Sequence, residues 1–160
     1  MRRLIVITCL VGSFLVIGFT GGGEASTTRA HAAATTVPLK IFKAQGAVQA
    51  VALVRIHGRF FRFIVDTGAE KTLVNVALAR ELHLKTIGKP ITLSGVGCSE
   101  TAQKVRLSNW SIGGQALPRI IATRSGLAGV RVPAGLLGAD VLSRFGTVSI
   151  DFVHGVMILG

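Results

Sequence analysis

A single carboxylate, Asp66, follows directly on the apolar run Phe60-Phe61-Arg62-Phe63-Ile64-Val65 and precedes Thr67-Gly68-Ala69. Such a run reads as a strand buried at its end, where an ionised Asp loses water and needs compensation from hydrogen bonds or charge. Thr67 offers a hydroxyl that donates or accepts, and Gly68 lets backbone approach the carboxylate closely. The chemistry within reach is general acid–base work. Hydrolysis of an amide by carboxylates alone needs two of them, one ionised to take a proton from water and one protonated to hydrogen-bond to the carbonyl and pass a proton to the leaving amine. The chain has one Asp-Thr-Gly. Asp140 and Asp151, the other aspartates, lack that context.

About seventy residues on comes Gly135-Leu136-Leu137-Gly138-Ala139-Asp140-Val141-Leu142, then Ser143-Arg144-Phe145-Gly146 and the alternating run Thr147-Val148-Ser149-Ile150-Asp151-Phe152. Taken together, the two segments resemble the retropepsin-like aspartic proteases: apolar strand, Asp-Thr-Gly-Ala, then an apolar-apolar-Gly strand leading into a short helix and a final strand. The resemblance covers residues 48–159. It implies an all-β acid-protease fold, a closed single-lobe β-barrel with one or two short helices, and a homodimer in which each chain gives one Asp66 to a shared dyad. In such a dyad one proton is shared, because two charges that close cannot both ionise.

The same resemblance assigns roles around Asp66. Thr67 is expected to hydrogen-bond across the dimer axis, the Gly68 amide to donate to the Asp66 carboxylate, and Ala69 to complete the loop. Leu136-Leu137-Gly138 is expected to pass beneath that loop and support it. Gly95, Val96 and Gly97, within Ser94-Gly95-Val96-Gly97-Cys98-Ser99, fall where the family has a flap that closes over an extended peptide. There are departures: viral members carry an Asp after Asp-Thr-Gly-Ala and an Arg after the apolar-apolar-Gly, where this chain has Glu70 and Ala139. The function implied is an aspartic endopeptidase acting on peptide or protein substrates. The alternative is a catalytically silent peptide-binding or dimerisation module on the same fold.

Composition fits one globular domain: 160 residues, 49% hydrophobic, 16% charged, 20 glycines. The formal net charge of +11 is dispersed along the chain, without basic runs or interleaved aromatics, which argues against nucleic-acid binding. Residues 1–32 have the pattern of an export signal: basic Met1-Arg2-Arg3, an apolar stretch over 4–19, then small residues with Gly23-Glu24-Ala25 and Ala30-His31-Ala32 as alternative cleavage sites. The domain is therefore expected in the periplasm or secreted, with an uncleaved N-terminal segment anchoring it to a membrane as the alternative. Cys9 falls in that leader, so Cys98 is left without a disulfide partner and the fold must rest on its core. His31, His57, His83 and His154 are scattered, and nothing in the pattern implies a metal or another cofactor.

The elements that must position Asp66 can also be read. Residues 33–45 look like a linker and 46–160 like the domain. Two strands meet at His57-Gly58, a hairpin pair in which Gly supplies positive φ. A short helix over 75–82 is expected with Asn75 as its cap, ended at the latest by Pro90. Further hairpins are expected around the Gly- and Ser-rich 94–99, around Gly113-Gly114 between strands at 110–112 and 117–122, and at His154-Gly155.

Overall fold

The structure, a computed structural model, describes residues 34–44, 46–95, 98–126 and 133–160. The expected leader, 1–32, lies outside the described residues, as do Val96 and Gly97 of the expected flap.

Strands β1 (Thr35–Ala44), β2 (Ala47–Ile56) and β3 (Arg59–Val65) form an antiparallel meander. Alternation sorts their side chains: Ala52, Val54, Ile56 and Phe63 are fully buried, while Leu53 and Phe60, on the opposite face, are 53% and 66% exposed. Burying a side chain such as Phe63 contributes about 1.5–3 kcal/mol relative to leaving it in water. The β2–β3 turn has φ of 49° at His57 and 86° at Gly58, the two positive values that a two-residue hairpin matching the strand twist requires.

Within the segment 33–45 expected as a linker, Thr35–Ala44 form strand β1. Its Thr and Ala content is linker-like, but Val37, Leu39 and Ile41 alternate inward and Val37 is 2% exposed. As β1 it pairs through Thr35–Pro38 with β12 (Val156–Leu159), and through Leu39–Ala44 with β2. It therefore ties the two ends of the domain together.

After β3, a loop over 66–72 leads to β4 (Leu73–Asn75) and helix α1 (Val76–Glu81). Asn75 caps α1 as expected: its Oδ1 accepts from the Leu78 N–H at 2.6 Å, and its Nδ2 donates to the Pro133 carbonyl. Strands β5 (Thr86–Gly95) and β6 (Cys98–Leu107) form the next hairpin. Pro90 ends no helix. It lies inside β5, where the register with β6 shifts between Ile87 and Ile91, a place at which a residue without an N–H is tolerated.

Strands β7 (Trp110–Ile112) and β8 (Gln115–Leu117) turn at Gly113-Gly114. The run expected over 117–122 is divided at Pro118: Leu117 ends β8, and β9 (Ile120–Ser125) pairs instead with β6 and β4. Trp110 Nε1 donates to the Pro118 carbonyl at 2.8 Å across that break. The chain ends with β10 (Gly135–Leu137), helix α2 (Ala139–Leu142), a 3-10 turn (Ser143–Phe145), β11 (Val148–Asp151) and β12.

The hydrogen-bonded order is β11-β12-β1-β2-β3-β10-β4-β9-β6-β5, with β7 pairing β2 and β8 pairing β7. This is the all-β acid-protease fold expected from the sequence. Its essential feature for the site is that β10 runs between β3, to which it is parallel, and β4, to which it is antiparallel. The loop joining β3 to β4 must therefore span the end of β10.

Candidate active site

Asp66 is placed by that threading. Its backbone N–H donates to the Leu137 carbonyl at 3.1 Å, which fixes the strand end against β10, and its side chain is half-buried. The Gly68 N–H donates to Asp66 Oδ1 at 2.9 Å, the bond expected from the sequence. The Ala69 N–H reaches back to the Asp66 carbonyl at 3.3 Å, closing a tight turn. Thr67 and Gly68 at the apex are exposed, so their outward surface is free to meet another molecule.

Leu136, Leu137 and Gly138 lie where the sequence placed them. Leu137 is fully buried in the core, whereas Leu136, registered opposite Ile64, turns to the other face. Gly138 is required by close approach: a Cβ there would lie 2.6 Å from the Lys71 carbonyl carbon and 2.9 Å from the Ala69 oxygen, both backbone. Gly135 is crowded likewise by the Phe63 ring and the Leu73 carbonyl. The Ala139 N–H donates to the Ala69 carbonyl at 2.8 Å, so helix α2 begins directly beneath the loop.

A second set of bonds was not foreseen. Thr72, fully buried, donates from its N–H and its hydroxyl to Asp140 Oδ1 at 2.9 and 2.8 Å. Its Oγ1 accepts from the Gly138 N–H at 3.2 Å, and its carbonyl accepts from the Thr123 N–H at 3.0 Å. Arg144 Nε donates to the Asp140 carbonyl, closing the helix side of the cluster. The sequence marks Asp140 only as an aspartate without a Thr-Gly context; the signal it carries is a place in the first turn of a short helix, where a carboxylate commonly satisfies backbone donors. Glu70 is exposed, and the described ion pairs include neither Glu70 nor a partner at Ala139. In this chain the loop is held to α2 through Thr72 and Asp140.

Beside Asp66 opens a cavity of about 420 Å³, lined by apolar Val48, Ile64, Leu136 and Phe152. Phe152 comes from the β11–β12 turn. Asp151 shapes that turn by accepting from the backbone N–H groups of Val153 and His154, both at 2.9 Å, and by contact with the His154 ring at 2.6 Å. These bonds, the His154 backbone bond first, hold the Asp151 carboxyl below the ordinary aspartate range. Gly95 ends β5 at the hairpin tip that the resemblance assigns to a flap. Among the described residues no group of three or more His, Cys, Asp or Glu is arranged to hold a metal ion, and no helix is long and apolar enough to cross a membrane.

The arrangement is a carboxylate at a strand end, its loop locked from below and open above, next to an apolar cavity. One chain supplies one such carboxylate. Comparison with known proteins agrees with the geometry. A family model described as aspartyl protease matches residues 52–141, more than half of the chain. The fold is similar to that of a retropepsin-like aspartic protease from Rickettsia conorii, with a TM-score of 0.56 and 22% sequence identity over 79% of this chain and 89% of that one. No curated protein matches the chain. From the matched segment, which runs through both the Asp66 loop and the Gly138 support, the chain belongs to the aspartyl protease family, and its fold is retropepsin-like.

Proposed function

We propose that this protein is an aspartic endopeptidase that works as a homodimer, with the two Asp66 carboxylates forming the dyad. The observation that carries the reading is the Asp66 loop: a half-buried carboxylate with a backbone donor at 2.9 Å, rigidly supported from beneath, whose exposed apex leaves a second carboxylate to be brought by another copy. In the dimer one Asp66 is ionised and takes a proton from the attacking water. Its counterpart is protonated, hydrogen-bonds to the scissile carbonyl and later passes a proton to the leaving amine. The Gly68 amide orients the carboxylate, and the Thr72–Asp140 bonds keep the loop from relaxing as charge moves. Thr67 is assigned the bond across the axis, and residues 94–99 the closing flap.

Substrate is an extended peptide with a large apolar residue seated against Val48, Ile64, Leu136 and Phe152, where burial favours it and water is excluded. The setting proposed is outside the cytoplasm, reached through residues 1–32, which either are removed or hold the domain at a membrane. The test is peptide cleavage by purified protein and its Asp66→Asn variant. Cleavage that a statine-like mimic inhibits, and that Asp66→Asn abolishes without change in the circular dichroism spectrum, supports the proposal. A well-folded wild-type dimer that binds the mimic yet cleaves no peptide in a broad library would favour the silent binding module.

A further inference from the structure

Strands β1, β2 and β3 contain five cationic residues and no acidic one. Register places three of the five on the face turned away from the core. Leu53 lies opposite Arg62 and Arg55 opposite Phe60, while Lys40 lies opposite Val51, two residues from Leu53 on the same side. Leu53 and Phe60 are the exposed apolar members, and Lys40 Nζ sits 5.4 Å from the ring of Phe42, itself 38% exposed. The ion pairs described are Arg59–Glu81 and His154–Asp151, so neither Lys40, Arg55 nor Arg62 is neutralised by a described carboxylate. Between Lys40 and Arg62 is a cleft of about 280 Å³, walled by Pro38, Leu39, Val51 and Leu53.

We propose that this outer face docks on an anionic phospholipid bilayer. Its composition is what such a surface selects: cations for the headgroup charge, and Leu53 and Phe60 between them to enter the interfacial layer. The cleft flanked by Lys40 and Arg62 is of a size and charge to take a phosphate headgroup. The position in the chain agrees, because the apolar segment over residues 4–19 precedes β1, a strand of this face, by fewer than twenty residues. A domain held at a bilayer through that segment would meet the lipid repeatedly at high effective concentration. Phe60 lies six residues before Asp66, about 20 Å along the chain, while register sets Lys40 level with Val51 and Ile64, a wall of the cavity beside Asp66, so the face runs from the β2–β3 turn to the edge of that cavity. The inference does not depend on the catalytic reading.

The experiment is cosedimentation of the full chain with phosphatidylglycerol or phosphatidylcholine vesicles, for wild type, Lys40→Gln/Arg55→Gln/Arg62→Gln and the charge-preserving Arg55→Lys/Arg62→Lys. The N-terminal segment is identical in all three, so differences report on the folded face. A cation near an anionic membrane is worth about a factor of five, so the triple neutralisation should weaken phosphatidylglycerol binding on the order of a hundredfold. It should leave phosphatidylcholine binding and peptide cleavage unchanged, the charge-preserving variant should bind like wild type, and salt should reproduce the loss. Phe60→Trp should add a blue-shifted emission with phosphatidylglycerol only, against the background of buried Trp110. Equal binding of the triple variant and wild type to phosphatidylglycerol overturns the proposal. So does a triple variant that keeps its lipid affinity but loses self-association in sedimentation or selectively loses cleavage of acidic peptides, either of which would give the face to a protein partner.

Discussion

The Asp140 carboxylate accepts two hydrogen bonds from Thr72, at 2.9 Å from the backbone N–H and 2.8 Å from the hydroxyl, across 68 positions of sequence. Thr72 ends the loop that Asp66 begins, so the clamp sets how far that loop can drift from β10. Thr72 is fully buried, so loss of the Asp140 carboxylate leaves its donors without a substitute from solvent.

Asp140→Ala should therefore destabilise the domain by about 2 kcal/mol, the cost of leaving buried donors unpaired. The melting temperature should fall by roughly 5 °C. Asp140→Asn keeps an acceptor oxygen and should cost less. Thermal unfolding alongside kcat on one peptide checks both effects: kcat for Asp140→Ala should fall by about tenfold or more as the loop loses its position.

Gly138→Ala tests the close approach beneath Asp66. The new methyl would press on the backbone of Lys71 and Ala69, neither of which can rotate away. The expected result is a folded protein whose kcat/KM falls by about a hundredfold, because the loop has to lift. Near-native kcat/KM with an unchanged melting temperature would show that the loop has slack the structure does not reveal.

Phe152→Ser should raise KM about tenfold for peptides with a large apolar residue at the scissile bond, and leave peptides with a small residue there much less affected. The comparison of the two substrates separates loss of the cavity wall from general damage. Equal effects on both would remove the cavity from substrate recognition.

The β11–β12 turn supplies a pH prediction. The folded Asp151 carboxyl titrates below the ordinary value, so the stabilisation it adds is fully present above the unfolded-state pKa of about 3.9 and is lost as pH falls through the lowered folded-state value. The turn that carries Phe152 should thus stay intact across the mildly acidic range. The melting-temperature difference between wild type and Asp151→Asn should shrink as pH falls below about 4. A difference that instead grows as pH falls below about 4 would contradict the assignment.

How much of this could be read from the chain depends on how local the cause is. The positive φ at His57 and Gly58 and the Asn75 cap each involve residues within four positions, and the sequence carries both signals directly. The Asp66 and Gly138 motifs were legible as a pair because each has its own marked pattern. Thr72 with Asp140 was not, since nothing in either residue announces the other until β10 is threaded between β3 and β4. β1 is hidden for a different reason: Thr35, Thr36 and Pro38 give it a linker-like composition, although burial follows the alternation of Val37, Leu39 and Ile41. The broken strand at Pro118 shows the converse, with one residue that lacks a donor redirecting an otherwise continuous apolar run.

The central claim is that each chain contributes one carboxylate of a shared pair. It is tested most directly by mixing a fixed amount of wild-type chain with increasing Asp66→Asn chain, under conditions where subunits exchange, and measuring peptide cleavage. If the site is built from two copies, a ninefold excess of the variant leaves about a tenth of the activity, because wild-type chains then rarely find each other. Activity that stays proportional to the wild-type chain alone, whatever the excess, would mean that one chain is a complete enzyme and would contradict the shared dyad.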